Sequence, residues 1–350
     1  MGQVILHSAD ALIERLQGKK LLLVCGRSFD RLDIADCIKQ LDIVRFSDFA
    51  PNPLYEDVCK GLELFRNSDC AEILAVGGGS AIDVAKCIKL FSKMDPAVNY
   101  LKQEYADTGI PLTAIPTTAG TGSESTRHAV IYFGGEKQSI SHPSIVPDCA
   151  CLIPSVLTNL PVYQKKCTML DALCQAIESW WSVSSTAESI EYSRIAIEAI
   201  LKHWPAYVNE NSPEAAKQIL LAANYAGRAI NITATTAAHA MSYKLTSLYG
   251  IPHGHAVAIC LPEVWDAMLD AVCTDPRGTE HLNRVLSDLP LTPAQFRDLL
   301  QDLEMAYPTA QNKAQDLDVL AGSVNPVRLK NNPVLLDTET LKAMYERIVR

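Results

Sequence analysis

The chain has 350 residues, a length that suggests two domains, and 48% of them are apolar without any run of about eighteen that would span a membrane. A net charge of −9 argues against nucleic-acid binding through a broad basic surface. Eleven scattered cysteines, without pairs at zinc-ribbon spacing, suit a reducing cytoplasm better than a disulfide framework, and MGQVILHSADALIERL lacks the regions of a signal peptide.

The first half alternates strand and helix patterns. Lys20–Cys25 (KLLLVC) reads as a buried strand ending at Gly26-Arg27-Ser28, where Ser28 is placed to cap the next helix. A strand over 43–46 leads into Phe49-Ala50-Pro51-Asn52-Pro53, whose prolines exclude helix, and Tyr55–Arg66 then carries a helical pattern. A strand over 72–76 runs straight into Gly77-Gly78-Gly79-Ser80-Ala81-Ile82-Asp83-Val84-Ala85-Lys86. Such alternation implies a parallel sheet with ligands at the carboxyl ends of its strands. Glycines between a strand and a helix let an anion approach the helix N-terminus, and a pyrophosphate is the natural guest; a tight turn with nothing bound is the plainer alternative. The run is neither GxGxxG nor a P-loop. After a strand over 112–115 comes Pro116-Thr117-Thr118-Ala119-Gly120-Thr121-Gly122-Ser123-Glu124, whose hydroxyls suit ribose and phosphate oxygens or an ordinary polar loop. Two such loops at neighbouring strand ends point to a dinucleotide.

Beyond Leu160-Pro161 the pattern becomes helical. A helix over 168–181 sets Asp171, Cys174, Gln175 and Glu178 on one face, where Asp171 reads as a cap, an ion-pair partner or a ligand. Asn211-Ser212-Pro213-Glu214 starts another helix with a serine cap and a proline first. After a break near 231–236, a fresh helix carries His239 and Tyr243 on one face, Gly250 closes it, and Pro252 forces an extended approach to His253. Three of the eight histidines, His239, His253 and His255, thus gather on both sides of a helix end. Converging imidazoles are what a divalent metal needs; surface histidines around a cap are the alternative.

Five motifs in order make the chain resemble the iron-containing (group III) alcohol dehydrogenases over almost its whole length: PNP at 51–53, GGGSAIDVAK at 77–86, PTTAGTGSE at 116–124, DALCQAIE at 171–178 and HAMSYKLTSLYGIPHGHAV at 239–257. The resemblance implies a Rossmann-like α/β dinucleotide domain over 1–160 and an all-α metal and substrate domain over 161–350, with Fe²⁺ or Zn²⁺ in the cleft between them. It implies Asp171, His239 and His253 as metal ligands, and Gln175 or water in a fourth position where relatives usually have histidine. Tyr243 becomes the candidate proton relay, and His255 a neighbour of the metal or a substrate-facing residue. The nucleotide would lie along Asn52, Gly78, Gly79, Ser80 and Asp83, with Thr117, Thr118, Thr121, Ser123 and Lys137 at the ribose and nicotinamide side. Lys86 belongs to the same motif.

NAD-preferring relatives often carry an acidic residue after the first strand; here Gly26, Arg27 and Ser28 stand there, which predicts that NADPH is accepted. DALCQAIESWWSV, TTAAHAMSY and VNPVRLKNNP at 324–333 are similar to the members that reduce phosphonoacetaldehyde to 2-hydroxyethylphosphonate. A substrate of that kind needs cations, and Arg127, Lys244, Arg328 and Lys330 are the candidates. The alternatives are a general short-chain alcohol, aldehyde or polyol dehydrogenase, a lyase like dehydroquinate synthase, and a nucleotide-binding protein with a decayed metal site. Relatives are often homodimers or larger.

Overall fold

The computed structural model describes residues 3–275 and 279–350. The chain divides into two units, residues 1–160 with 211–224, and residues 161–210 with 225–350. In the first, the order is β1 (Val4–Leu6), α1 (Ala9–Leu16), β2 (Lys20–Cys25), α2 (Ala35–Ile38), β3 (Asp42–Phe46), α3 (Tyr55–Arg66), β4 (Glu72–Gly77), α4 (Gly79–Phe91), β5 (Leu112–Pro116), β6 (His128–Phe133), β7 (Glu136–Ser141) and β8 (Cys149–Cys151). Six strands form a parallel sheet in the order β1-β8-β5-β4-β2-β3. The central strands are buried on both faces, which is why they read as unbroken apolar runs. Leu22, Val24, Ile73 and Ala75 meet Val58 and Leu62 of α3 and Ile82, Ala85 and Ile88 of α4 in one core. Each such side chain contributes about 1.5–3 kcal/mol when fully buried. From β2 the chain steps outward to β3 and then returns to β4 on the other side, so the sheet's switch point lies at the β2 and β4 carboxyl ends. There the glycine run sits.

The sequence pattern does not anticipate three features. Ser28 makes no side-chain cap; it has helical backbone angles and leads into a single 3-10 turn, Phe29–Arg31, instead of a helix it could start. A β6–β7 hairpin turns at Gly134-Gly135, both left-handed at φ 61 and 80, as a type I′ turn requires. β1 and β8 are three-residue strands, too short to show an alternation.

In the second unit come α5 (Val162–Trp181), α6 (Ala187–Asn209), α7 (Pro213–Thr233, shared between the two units), α8 (Ala237–Tyr249), α9 (His253–Thr274), α10 (Glu280–Ser287), α11 (Pro293–Asp302), α12 (Lys313–Ser323), α13 (Pro326–Leu329) and α14 (Thr338–Ile348). α5 starts six residues before the expected 168, because Pro161 takes the N-cap position and its carbonyl accepts from Lys165 N–H. The polar Gln164-Lys165-Lys166 turn hides that start; Lys165 is nevertheless buried, its ammonium 5.0 Å from the Tyr207 ring centre. α5 packs against α6 and α9, and α8 against α9, so the first turns of α8 and α9 meet the middle of α5. Among the described residues no helix is long and apolar enough to cross a membrane.

Candidate active site

One ligand atom each from Asp171 of α5, His239 of α8 and His253 of α9 lie within 4.8 Å of one another. His239 Nε2 stands 3.3 Å from Asp171 Oδ1, and His253 Nε2 stands 3.9 Å from the same oxygen. The outer nitrogens explain why both Nε2 atoms point inward. His239 Nδ1 meets Glu178 Oε2, so its proton is held on that side. Ser242 Oγ donates to the His239 carbonyl at 2.8 Å and can therefore accept from His253 Nδ1 at 3.3 Å. Both Nε2 atoms then present lone pairs toward a carboxylate oxygen, and buried His239 Nε2 makes no hydrogen bond. Facing lone pairs are repulsive unless a cation lies among them. Two imidazole nitrogens and a carboxylate oxygen, oriented from outside by Glu178 and Ser242, fit a first-row divalent ion. Without one, burial pulls the His239 pKa down, but the Glu178 and Asp171 carboxylates outweigh it and raise it to about 9. A metal would replace that proton.

Gly254 makes the meeting possible. A Cβ there would clash with the Cys167 carbonyl oxygen and stand 2.9 Å from Asp171 Cβ, so only glycine lets α9 start this close to α5. Glu178 is the site residue that sequence reasoning overlooked. It is fully buried two turns beyond Asp171, and its Oε1 accepts from Thr236 N–H, Thr236 O–H and His239 N–H at 3.1, 2.7 and 3.3 Å. Its only sequence signal is its share of the Asp171 face. Gln175, one turn beyond Asp171, is buried on the same helix.

The Tyr243 ring stacks on His253, with centroids 5.5 Å apart and planes 7° from parallel, and its hydroxyl oxygen accepts from Arg328 Nη1 at 2.9 Å. Lys244 is half-buried one position further round α8, while Lys330 is exposed. His255 is not brought to the cluster. Its Nδ1 bonds the Tyr163 hydroxyl at 2.7 Å and its Nε2 bonds the Ala306 carbonyl at 2.8 Å, so both ring nitrogens are used in tethering α9. Burial lowers its pKa, partly countered by that carbonyl. Two residues apart on a helix, His253 and His255 point to different faces.

In the first unit, Gly78 is the N-cap of α4 and offers no side chain, leaving the backbone N–H groups of the first turn for a ligand. Cβ atoms at Gly78 and Gly79 would stand 3.3 Å from Thr118 Oγ1 and 3.0 Å from Thr121 Cγ2, so the glycines also let the two loops close on each other. Thr117 N–H bonds the Gly77 carbonyl at 3.0 Å. Asn52, left-handed at φ 58, turns its N–H to Ser80 Oγ at 3.4 Å, adding the Pro-Asn-Pro turn to the same place. Beneath lies a charged relay. Lys86, fully buried, donates to Ser123 Oγ, Thr126 Oγ1 and the His128 carbonyl at 2.9, 3.1 and 2.7 Å. Ser123 Oγ donates on to Asp83 Oδ1 at 2.7 Å, and Val130 N–H holds the other oxygen at 2.9 Å. Burial raises the Asp83 pKa against the pull of Lys86 and, more weakly, Lys137, which places Lys137 on this side. Arg127, just past the second loop, is half-buried. At the end of β2, Arg27 and Ser28 are exposed, and the nearest carboxylate, Asp30, is held by Arg45 and Lys39 at 2.8 and 3.0 Å.

Two family models cover the chain, an iron-containing alcohol dehydrogenase over residues 1–154 and the C-terminal region of the Fe-containing alcohol dehydrogenase family over 166–349. The chain belongs to the iron-containing alcohol dehydrogenase family. It is 35% identical over 291 residues to a phosphonoacetaldehyde reductase from Streptomyces viridochromogenes, covering 77% of this chain and 73% of that one. Among solved structures it is similar to an iron-containing alcohol dehydrogenase from Thermotoga maritima, with 27% identity, a TM-score of 0.84, and 99% and 98% of the two chains covered. It is also similar to a sulfoacetaldehyde reductase from Bifidobacterium kashiwanohense in complex with NAD⁺, with 26% identity, a TM-score of 0.85, and 99% and 96% covered.

Proposed function

We propose that the protein reduces a small anionic aldehyde, phosphonoacetaldehyde, to its primary alcohol 2-hydroxyethylphosphonate with a nicotinamide nucleotide, in a reducing, cytoplasmic setting where its eleven cysteines remain thiols. The observation that carries the reading is the convergence of Asp171, His239 and His253 ligand atoms within 4.8 Å, in a family of alcohol dehydrogenases. Those residues would hold Fe²⁺ or Zn²⁺, with Gln175 or water completing the set. Bound there, the ion supplies Lewis acidity toward a carbonyl oxygen, and the nucleotide supplies hydride. The chain's own part is placement and proton supply. Gly78, Gly79 and Ser80 receive the pyrophosphate on backbone N–H groups, and Thr117, Thr118, Thr121 and Ser123 line the loop beside them, with Lys137 near Asp83. Tyr243 Oη accepts from Arg328, so its hydrogen is directed to another acceptor, as a donor to the product alcohol requires.

NADPH serves alongside NADH in this reading, because Asp30 is neutralised by Arg45 and Lys39 and Arg27 stands exposed at the β2 end. The relatives' names support the substrate class: phosphonoacetaldehyde and sulfoacetaldehyde both carry an oxyanion group one carbon from the aldehyde carbon. The test is an aldehyde screen of anaerobically iron-loaded protein with both nucleotides. A higher kcat/KM for phosphonoacetaldehyde than for acetaldehyde or propanal is expected. Equal turnover of the three removes the phosphonate assignment, and a strong preference for NADH removes the nucleotide one.

A further inference from the structure

Arg328 is the cation that the fold delivers to the metal cluster. Its guanidinium carbon stands 5.0 Å from the Tyr243 ring centre and its Nη1 donates to the Tyr243 hydroxyl at 2.9 Å, while that ring lies flat on His253. Arginine, phenol and ligand imidazole therefore form consecutive layers within the second unit. The segment that carries Arg328 is fixed with unusual thoroughness for a half-exposed stretch. Asn325 Oδ1 caps the single turn of α13 by accepting from Val327 N–H at 2.9 Å, and Pro326 takes its first position. Asn331 then pins the far end. Its amide donates to the Thr233 and Thr235 carbonyls at 2.7 and 3.0 Å, its Oδ1 accepts from Ser182 Oγ at 2.8 Å, and its carbonyl accepts from Val183 N–H at 3.2 Å. Asn332 closes the following turn onto the Val334 carbonyl at 2.8 Å.

We propose that Arg328 is the specificity-determining residue that receives the oxyanion group of the aldehyde. The proposal rests on the aldehyde-reductase reading of the same site. A guanidinium carries five donors in one plane, and its edge matches two oxygens of a phosphonate or sulfonate. The group is held beside the phenol that gives up the proton, so an anion gripped there brings a carbonyl one carbon away toward the metal ligands. Prior fixation of the segment by Asn325 and Asn331 removes the entropy that a loose arginine would lose on gripping the anion. Neither Lys244 nor Lys330 shows such a tether among the described contacts.

The experiment compares iron-loaded wild type with Arg328→Met and Arg328→Lys on phosphonoacetaldehyde, sulfoacetaldehyde and propanal. For Arg328→Met, kcat/KM on both anionic aldehydes is expected to fall about 10- to 100-fold, mainly through KM, as loss of a hydrogen bond to a charged group gives. Propanal shares the loss of the Arg328 bond to Tyr243 but has no anion to lose, so its fall should be at least about tenfold smaller than that of the anionic pair and the discrimination collapses. Arg328→Lys keeps the charge without the planar edge, and it should lose about tenfold on the anionic pair even if the methionine variant folds poorly. A larger fall for the phosphonate dianion than for the sulfonate monoanion separates the two as the preferred group. Parallel losses on all three aldehydes, or retained discrimination in both variants, overturn the assignment of Arg328 while leaving the aldehyde-reductase reading in place. A wild type that shows no preference for anionic aldehydes overturns both.

Discussion

Gly254 packs its bare α-carbon against the carbonyl oxygen of Cys167, and this contact sets how closely α9 approaches α5. A methyl group at residue 254 must push the two helices apart, and His253, the first residue of α9, moves with them. Gly254→Ala should therefore lower the iron content of purified protein to a small fraction of the wild-type value. Overpacking of this kind costs about 1–3 kcal/mol, which a thermal melt will register. A variant that binds iron normally would show that α9 finds another way to present His253.

Glu178 holds the proton of His239 Nδ1 and accepts three further bonds, yet among the described residues it belongs to no ligand group of three. Glu178→Gln preserves shape and an accepting oxygen while removing charge. Loss of such an outer partner lowers metal affinity about 10- to 100-fold. Competition with a chelator measures it, and an unchanged affinity would show that the charge of Glu178 does not reach the metal.

Lys86 gives a pH signature opposite to that of a paired surface lysine. Burial lowers its folded-state pKa to about 8, against an ordinary 10.5, with the Asp83 and Glu124 carboxylates limiting the fall and Cys87 held as a thiol. Between those two pH values the unfolded chain holds a proton that the folded one has released, so folding stability rises with pH across that window. Below about pH 8 both states are protonated and the contribution is flat. The difference in unfolding free energy between wild type and Lys86→Met should accordingly move in favour of wild type from pH 8 to 10.5. A difference that stays level would mean that Lys86 keeps its proton inside the fold.

Tyr163 tests the tether of His255. Tyr163→Phe removes one hydrogen bond worth about 1 kcal/mol, lowering the melting temperature by a few degrees while kcat stays unchanged. If His255 acted on the substrate instead, the change in its partner would appear in kcat and in its pH profile.

Asn331→Ala removes three side-chain hydrogen bonds from the segment that presents Arg328. A cost of about 2–3 kcal/mol is expected, with a raised KM for anionic aldehydes and little change for neutral ones. Equal KM increases across both classes would place Asn331 in general folding alone.

The two strand-end loops and the residues Asp171, His239 and His253 stood out in the sequence because each lies in a contiguous motif whose local geometry follows from its residues. Gly78 before a helix and Gly250 after one carry their meaning locally. Glu178 was not legible in that way, since its bonds to Thr236 and His239 depend on which helix comes to face it, and Arg328 stood only as one of four candidate cations because its contact with Tyr243 needs the fold to be seen. His255 misled for the converse reason: nearness in sequence to His253 does not survive the turn of a helix. The Gly134-Gly135 hairpin was not read from the sequence, and the bond that its strand β6 makes, Val130 N–H to Asp83, shows only once the strands are paired.

The partition of α7 has a practical consequence for dissecting the molecule. Its first part, with Asn224, is counted with the sheet unit, where the Asn224 amide donates to Glu124 Oε1 at 3.0 Å and to Ser125 Oγ at 2.5 Å. A fragment ending at residue 160 would contain the whole sheet and both strand-end loops, but not the amide that anchors the second loop. Grafting a foreign helical half at that junction would cut the same anchor unless the graft restored an asparagine there. Swaps between relatives are better planned around α7 as a shared element than around the point where strands give way to helices.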